Sequence, residues 1–202
     1  MCKLPNYFFP TFILFMLAFF SLEAFAQQEG ALVLSTQGSV KIRRISDVID
    51  DAKAGVTLDV GDVLMTAKKS KAKIRLSDGS IVSVGPDSSM DIKQHNVDPA
   101  NNKKNITLGL AVGKLWLKVT ELRTKDSTFE VHGPGAIAGV RGTTFGFEVG
   151  KSEGVRVIVD DGQVRLSNSS GNVDVGPKSK SVAKSGKAPS VPKPATQNEI
   201  KS

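Results

Sequence analysis

Across residues 31–176 no run of ten or more residues repeats its apolar side chains at the 3.6-residue period of a helix. Apolar residues instead alternate with polar ones over a few positions at a time, and each run stops at a glycine, a proline or an Asp-Gly pair. Gly113-Lys114-Leu115-Trp116-Leu117-Lys118-Val119 is the clearest case. In an extended chain Leu115, Leu117 and Val119 turn to one face while Lys114, Trp116 and Lys118 turn to the other. Thr143, Phe145, Phe147 and Val149 oppose Thr144, Gly146 and Glu148 in the same way. Strands of this kind predict an all-β fold: a single domain of short, mostly antiparallel strands in a β-sandwich or β-roll.

Composition sets the limits of that domain. Residues 8–20 form an apolar run broken only by Pro10 and Thr11, and Ala24-Phe25-Ala26 has the small-x-small form of a secretory cleavage site. Residues 1–26 are therefore read as a signal peptide. As an uncleaved anchor the run falls short of the ~20 residues a spanning helix needs. Cleavage removes Cys2, the sole cysteine, so the exported chain has neither a disulfide nor a cysteine nucleophile. Residues 27–176 make the domain. Residues 177–202 set Pro177, Pro189, Pro192 and Pro194 among serines, alanines and lysines, and predict a disordered basic tail.

The formal charge of +7 is unevenly spread. Of 27 Lys plus Arg and 20 Asp plus Glu, residues 177–202 hold six and one, and residues 27–176 hold twenty and eighteen. The basic part is thus the tail, read either as a solubilising extension or as a tether to anionic wall or lipid. Inside the domain, Lys69, Lys71, Lys73 and Arg75 share one face of a run whose other face carries Ala72, Ile74 and Leu76. Such a stripe either protects an edge strand from aggregation or binds a polyanion. It lacks the aromatic interleaving of single-strand nucleic-acid binders, because Trp116 is the only tryptophan and Tyr7 lies in the leader, so no nucleic acid is expected as partner. Trp116 either fills a second layer beneath a loop or offers a platform for a sugar or a protein.

Catalytic signatures are sparse. With His95 and His132 as the only histidines, neither a Cys-His pair nor a Cys/His zinc site can be assembled. Asp47, Asp50 and Asp51 lack the glycine and closing glutamate of an EF-hand and read as a solvated loop or a single helical turn. Neither a nucleophile elbow nor a P-loop occurs, and the reading is a protein that is no enzyme, with no metal and no cofactor. Residues 133–149 crowd five glycines and a proline into a corner that feeds a strand. Arg141 stands alone in that corner. It either pins the turn, partly buried against carbonyls or a carboxylate, or joins Gly139, Gly142 and Thr143 in holding an anion.

Five short motifs occur in order between residues 38 and 176. They are Gly38-Ser39-Val40, Gly61-Asp62-Val63-Leu64-Met65-Thr66, Leu76-Ser77-Asp78-Gly79-Ser80, Val140-Arg141-Gly142-Thr143-Thr144-Phe145 and Asp161-Gly162-Gln163-Val164. The ordered set resembles the FecR domain. The resemblance implies an exported all-β sensing module, with Asp78, Gly79, Arg141, Gly142, Thr143 and Phe145 as structural residues of its motifs. The best-known FecR proteins regulate iron–siderophore uptake, their periplasmic region relaying a receptor signal and their cytoplasmic N-terminal segment controlling a sigma factor. Here a signal peptide is read where that segment would stand, and no further domain is read after residue 176. The expectation is a stand-alone periplasmic or secreted module in extracytoplasmic signalling, binding an envelope protein by strand addition or a surface patch. The alternative is electrostatic attachment to an anionic polymer of the envelope, cell wall or lipopolysaccharide, through the basic strand and tail. Lys69, Lys71, Lys73, Arg75 and Trp116 are the candidate binding residues.

Overall fold

Alternation becomes strand after strand in the computed structural model, which describes residues 30–150 and 154–200. The leader read in residues 1–26 lies outside them. The chain forms β1 (Ala31–Gln37), β2 (Val40–Arg43), β3 (Ile49–Asp51), β4 (Thr57–Leu58), β5 (Val63–Thr66), β6 (Lys71–Leu76), β7 (Ile81–Val84), β8 (Ser89–Asp98) and β9 (Lys103–Lys118). It continues with β10 (Thr128–Gly133), β11 (Ala136–Val140), β12 (Thr144–Gly150), β13 (Gly154–Asp161), β14 (Val164–Asn168), β15 (Gly171–Val175), β16 (Ser179–Ala183), β17 (Lys193–Pro194) and a single helical turn, α1 (Gln197–Ile200).

The strands make two sheets that share β9. The first runs β4-β1-β6-β7-β9-β12-β13-β16-β17 and the second β3-β2-β5-β8-β9-β10-β11-β14-β15. β9 pairs with β10 in parallel, and the other neighbours are antiparallel. In both sheets the strands before β9 stand on one side of it and the strands after it on the other.

β9 reaches both sheets by turning a corner. Its first half lies between β8 and β10, its second between β7 and β12. Fully extended, such a strand would span about 53 Å. Yet Lys104 Nζ near its start donates to Thr120 O just past its end at 3.0 Å. Gly113 makes the bend possible: its φ is 104°, and a Cβ there would stand 2.5 Å from Ser88 Cα.

Between the sheets lies one apolar core. Ile74, Val82, Leu117, Phe145, Phe147 and Val157 from the first sheet meet Ile42, Leu64, Ile92, Leu108, Val131 and Leu166 from the second, all with no exposed surface. Truncating one of these to alanine would cost about 2–5 kcal/mol through lost transfer energy and the cavity left behind. Thr143 and Phe145 sit on the buried side as the alternation predicts.

Three expectations need correcting. Residues 177–200 are not a disordered tail. β16 pairs along β13, Ser181 and Ala183 are buried, Ser181 Oγ donates to Ser190 O at 2.7 Å, and Ile200 is only 8% exposed. Composition misleads here because main-chain hydrogen bonds to the edge of β13, which need no apolar side chains, hold the segment. Residues 47–54 include an edge strand, β3, whereas a loop or helical turn was expected. Asp98-Pro99 and the asparagines of residues 95–104 mark a loop in the sequence, yet residues 95–98 continue β8 and His95 is buried, its Nδ1 accepting from Gly30 N at 3.1 Å.

Candidate functional site

Register arranges the outward residues of the first sheet into rows. One row reads Ser35, Lys73, Ser83, Trp116, Gly146, Ile158 and Lys180 across neighbouring strands. The next contains Lys114, Glu148 and Arg156. Ser83 and Gly146 are too small to fill their places in the row. The result is a groove of 550 Å³ whose lining includes Lys71, Lys73, Lys114, Trp116, Glu148 and Glu199.

Trp116 owes its posture to Gly146. A Cβ on that glycine would stand 3.0 Å from Cε3 and Cζ3 of the indole. The ring therefore lies across the glycine of the adjoining strand, half-buried, and leaves part of itself in the open groove. Ile158, the next residue of the row, faces outward yet is 2% exposed, because α1 packs on β13. That packing brings Glu199 to the rim.

Charge is balanced on one side of the groove and unbalanced on the other. Glu148 holds Lys114 at 3.0 Å and Arg156 at 3.4 Å. Glu199 takes two hydrogen bonds from Lys180 Nζ, at 2.6 and 2.8 Å, and one each from the amide and hydroxyl of Thr196. The Lys180 bonds first, then those from Thr196, pull its carboxyl from an ordinary 4.5 down to about 2. Lys71 and Lys73 are exposed, and no acidic partner for them exists among the described residues.

Of the predicted binding residues, Lys71, Lys73 and Trp116 come together here. Arg75 is exposed on the same face but does not line the groove. Lys69 is not on the stripe at all: it occupies the turn before β6 with a φ of 56°. The edge-protection reading also falls, since β6 lies between β1 and β7. Lys114, Glu148 and Glu199 were missed as groove residues. Alternation from Gly113 had placed Lys114 outward with Trp116, but nothing local signals what stands beside it.

The family-like motifs lie elsewhere, converging on the return loop 119–127 that makes β9 and β10 parallel. Asp78 accepts from Lys104 Nζ at 2.7 Å, from the Ser80 amide at 2.9 Å, from Ser80 Oγ at 2.7 Å and from Thr120 Oγ1 at 2.8 Å. Lys104 also donates to Thr120 Oγ1. Burial alone would push the Asp78 carboxyl up, but the bonds from Lys104 and Ser80 outweigh it and hold it below the usual carboxylate range. Gly79 is the turn residue of this hairpin. From the other side, Val119 N donates to Thr143 O at 3.0 Å, Gly142 packs on Glu121, and Arg141 Nη2 donates to Thr124 O at 3.0 Å. Arg141 is exposed where partial burial was expected. The cleft it lines also holds Glu130 and an Arg165 already bonded to Asp174, so it fastens a loop carbonyl in a cleft of mixed charge.

His132 pairs with Glu130 at 2.7 Å on the second sheet. Among the described residues no group of three His, Cys, Asp or Glu could hold a metal ion, and no helix is long and apolar enough to cross a membrane.

The sequence profile of the FecR protein family matches residues 62–165. Two crystal structures, each of a candidate anti-sigma factor from Parabacteroides distasonis, align with this chain at 14% identity and TM-scores of 0.58 and 0.55. Both alignments cover 69% of this chain and 62% of the other, so less than two thirds of those proteins is represented here. At that identity the likeness establishes the fold. No curated protein matches the chain.

Proposed function

Since this chain belongs to the FecR family, we propose that it is an exported, non-enzymatic module that binds another protein of the cell envelope in extracytoplasmic signalling. Family membership supports the regulatory and envelope-associated part of this reading, and the leader read in residues 1–26 supports export. One observation carries the binding mode. The end of the stack formed by the first strands leaves two strand edges open. Among the described residues β4 pairs with β1 only at Ala31 and Leu32, leaving Leu34–Gln37 without a strand on that side, and β3 pairs only with β2.

Beside these edges stand Leu34, Ile45, Val48, Ile49 and Val60. They are five of the seven exposed large apolar side chains among the described residues. Open edges invite strand addition, in which main-chain bonds supply affinity and neighbouring apolar side chains supply fit. A photo-crosslinking residue at position 49, in cells expressing the full chain, is expected to capture one envelope protein, while the same residue at exposed position 137 captures none. Equal labelling at the two positions, or none at either, would sink the reading.

A second reading, attachment to an anionic polymer, is favoured by Lys71 and Lys73, which have no acidic partner among the described residues. The C-terminal segment contributes less than expected, because Lys178 is bonded to Asp160 and Lys180 to Glu199.

A further inference from the structure

We infer that the groove over Gly146 is a binding site for an acidic sugar, a pyranose ring carrying a carboxylate. The inference rests on the anionic-polymer reading and narrows it from a charged surface to one built site.

Three features of the groove select this chemistry. Trp116 is half-buried and offers its remaining aromatic surface to the groove, held in position by Gly146 beneath it. Such a surface takes the apolar C–H face of a sugar ring, which is flat and poor in charge. Lys73 stands two strands away in the same row, about 10 Å by backbone spacing, and only the short side chain of Ser83 separates them. A ring resting against the indole therefore reaches toward Lys73 and Lys71 with its substituents. Those two ammonium groups have no acid of their own among the described residues, so a carboxylate there gains charge-assisted hydrogen bonds and displaces no existing ion pair.

The remaining walls argue against other ligands. Glu148 and Glu199 close the far side, and both are already neutralised by lysine or arginine. A second carboxylate extending that way would meet these acids, so charge is wanted at one end only. Ser35 and Gln37 of β1 complete the Lys71–Lys73 side with hydroxyl and amide groups that can bond ring hydroxyls. The groove volume of 550 Å³ lies in the range of small-ligand sites.

Trp116 is the only tryptophan, so the intrinsic fluorescence of the full chain reads this groove alone. The chain would be titrated with glucuronate, with the disaccharide of N-acetylglucosamine and N-acetylmuramic acid, with neutral cellotriose and with polyphosphate. The expected result is a saturable fluorescence change with at least one acidic sugar, and which of the two acts names the source. Affinity should fall about tenfold for cellotriose and for the variant Lys71→Gln/Lys73→Gln, the loss of one charge-assisted interaction. Calorimetry on Gly146→Ser, which pushes the indole aside, and on Trp116→Ala, each checked for fold by circular dichroism, should show the same loss. Absence of a response to both acidic sugars overturns the inference. So does polyphosphate binding as tightly as the sugars and surviving Trp116→Ala, an outcome that would leave the broader electrostatic reading standing.

Discussion

The same three strand segments, β6, β7 and the second half of β9, end in opposite ways. At one end the chain leaves them through Asp78, Ser80 and Thr120, where Lys104 is 8% exposed and donates to the Asp78 carboxylate and to both oxygens of Thr120. At the other end Lys71, Lys73 and Lys114 surround an open groove, and two of the three have no acid within reach among the described residues. Lysine plays both parts, and its surroundings decide which. A buried ammonium must be fully satisfied or the fold pays several kcal/mol. An exposed one can be left for a ligand, because water screens it at little cost.

The largest expected effect tests the closed end. Lys104→Met would leave the Asp78 carboxylate buried without its cation and destabilise the domain by about 3 kcal/mol, read as a shift in the urea midpoint. Adding Asp78→Leu should recover much of that loss, because the buried charge goes with its partner. If the single variant unfolds no earlier than the parent, the network is not what holds the return loop.

A smaller effect is expected at the rim of the open end. The Glu199 carboxyl is lowered in the folded chain, from 4.5 to about 2, so its bond to Lys180 stabilises the docked α1 above pH 4.5. That contribution shrinks as the pH falls below 4.5 and is gone once it drops through about 2. Trp116 fluorescence should report a transition in this window, which Glu199→Gln abolishes. A transition unchanged in that variant would assign it to other carboxylates.

The smallest effect completes the contrast. Lys71→Gln/Lys73→Gln should change stability by no more than about 0.5 kcal/mol, as surface substitutions without partners do. A larger loss in thermal unfolding would make these lysines structural and remove the distinction between the two ends.

Much of this was legible in the chain and some was not, for identifiable reasons. The alternation around Trp116 and along residues 143–149 gave the faces correctly, since a period of two depends only on local geometry. The ordered motifs likewise pointed to the family. Lys69 was misplaced because the turn before β6 consumes it, and a one-residue change in where a strand starts is invisible to period counting. His95 was read as loop because Asn and Asp crowd the stretch after it, yet pairing with β9 carries β8 through to Asp98. The groove itself could not be read, for it joins β1, β6, β7, β9, β12 and β13 with a helical turn from the far end of the chain. Only Trp116 announced it, as a large aromatic on a face where lysines alternate.

The position of β9 has one more consequence. Because every earlier strand lies on one side of it and every later strand on the other, in both sheets at once, the molecule grows in one direction by accretion, as repeat arrays do. The first eight strands contribute to both layers without any later strand but β9, and β9 alone joins them to the strands that follow. Shortening the chain from its C-terminus should peel the stack strand by strand, with the loss of cooperative unfolding arriving only when the cut reaches β9 itself.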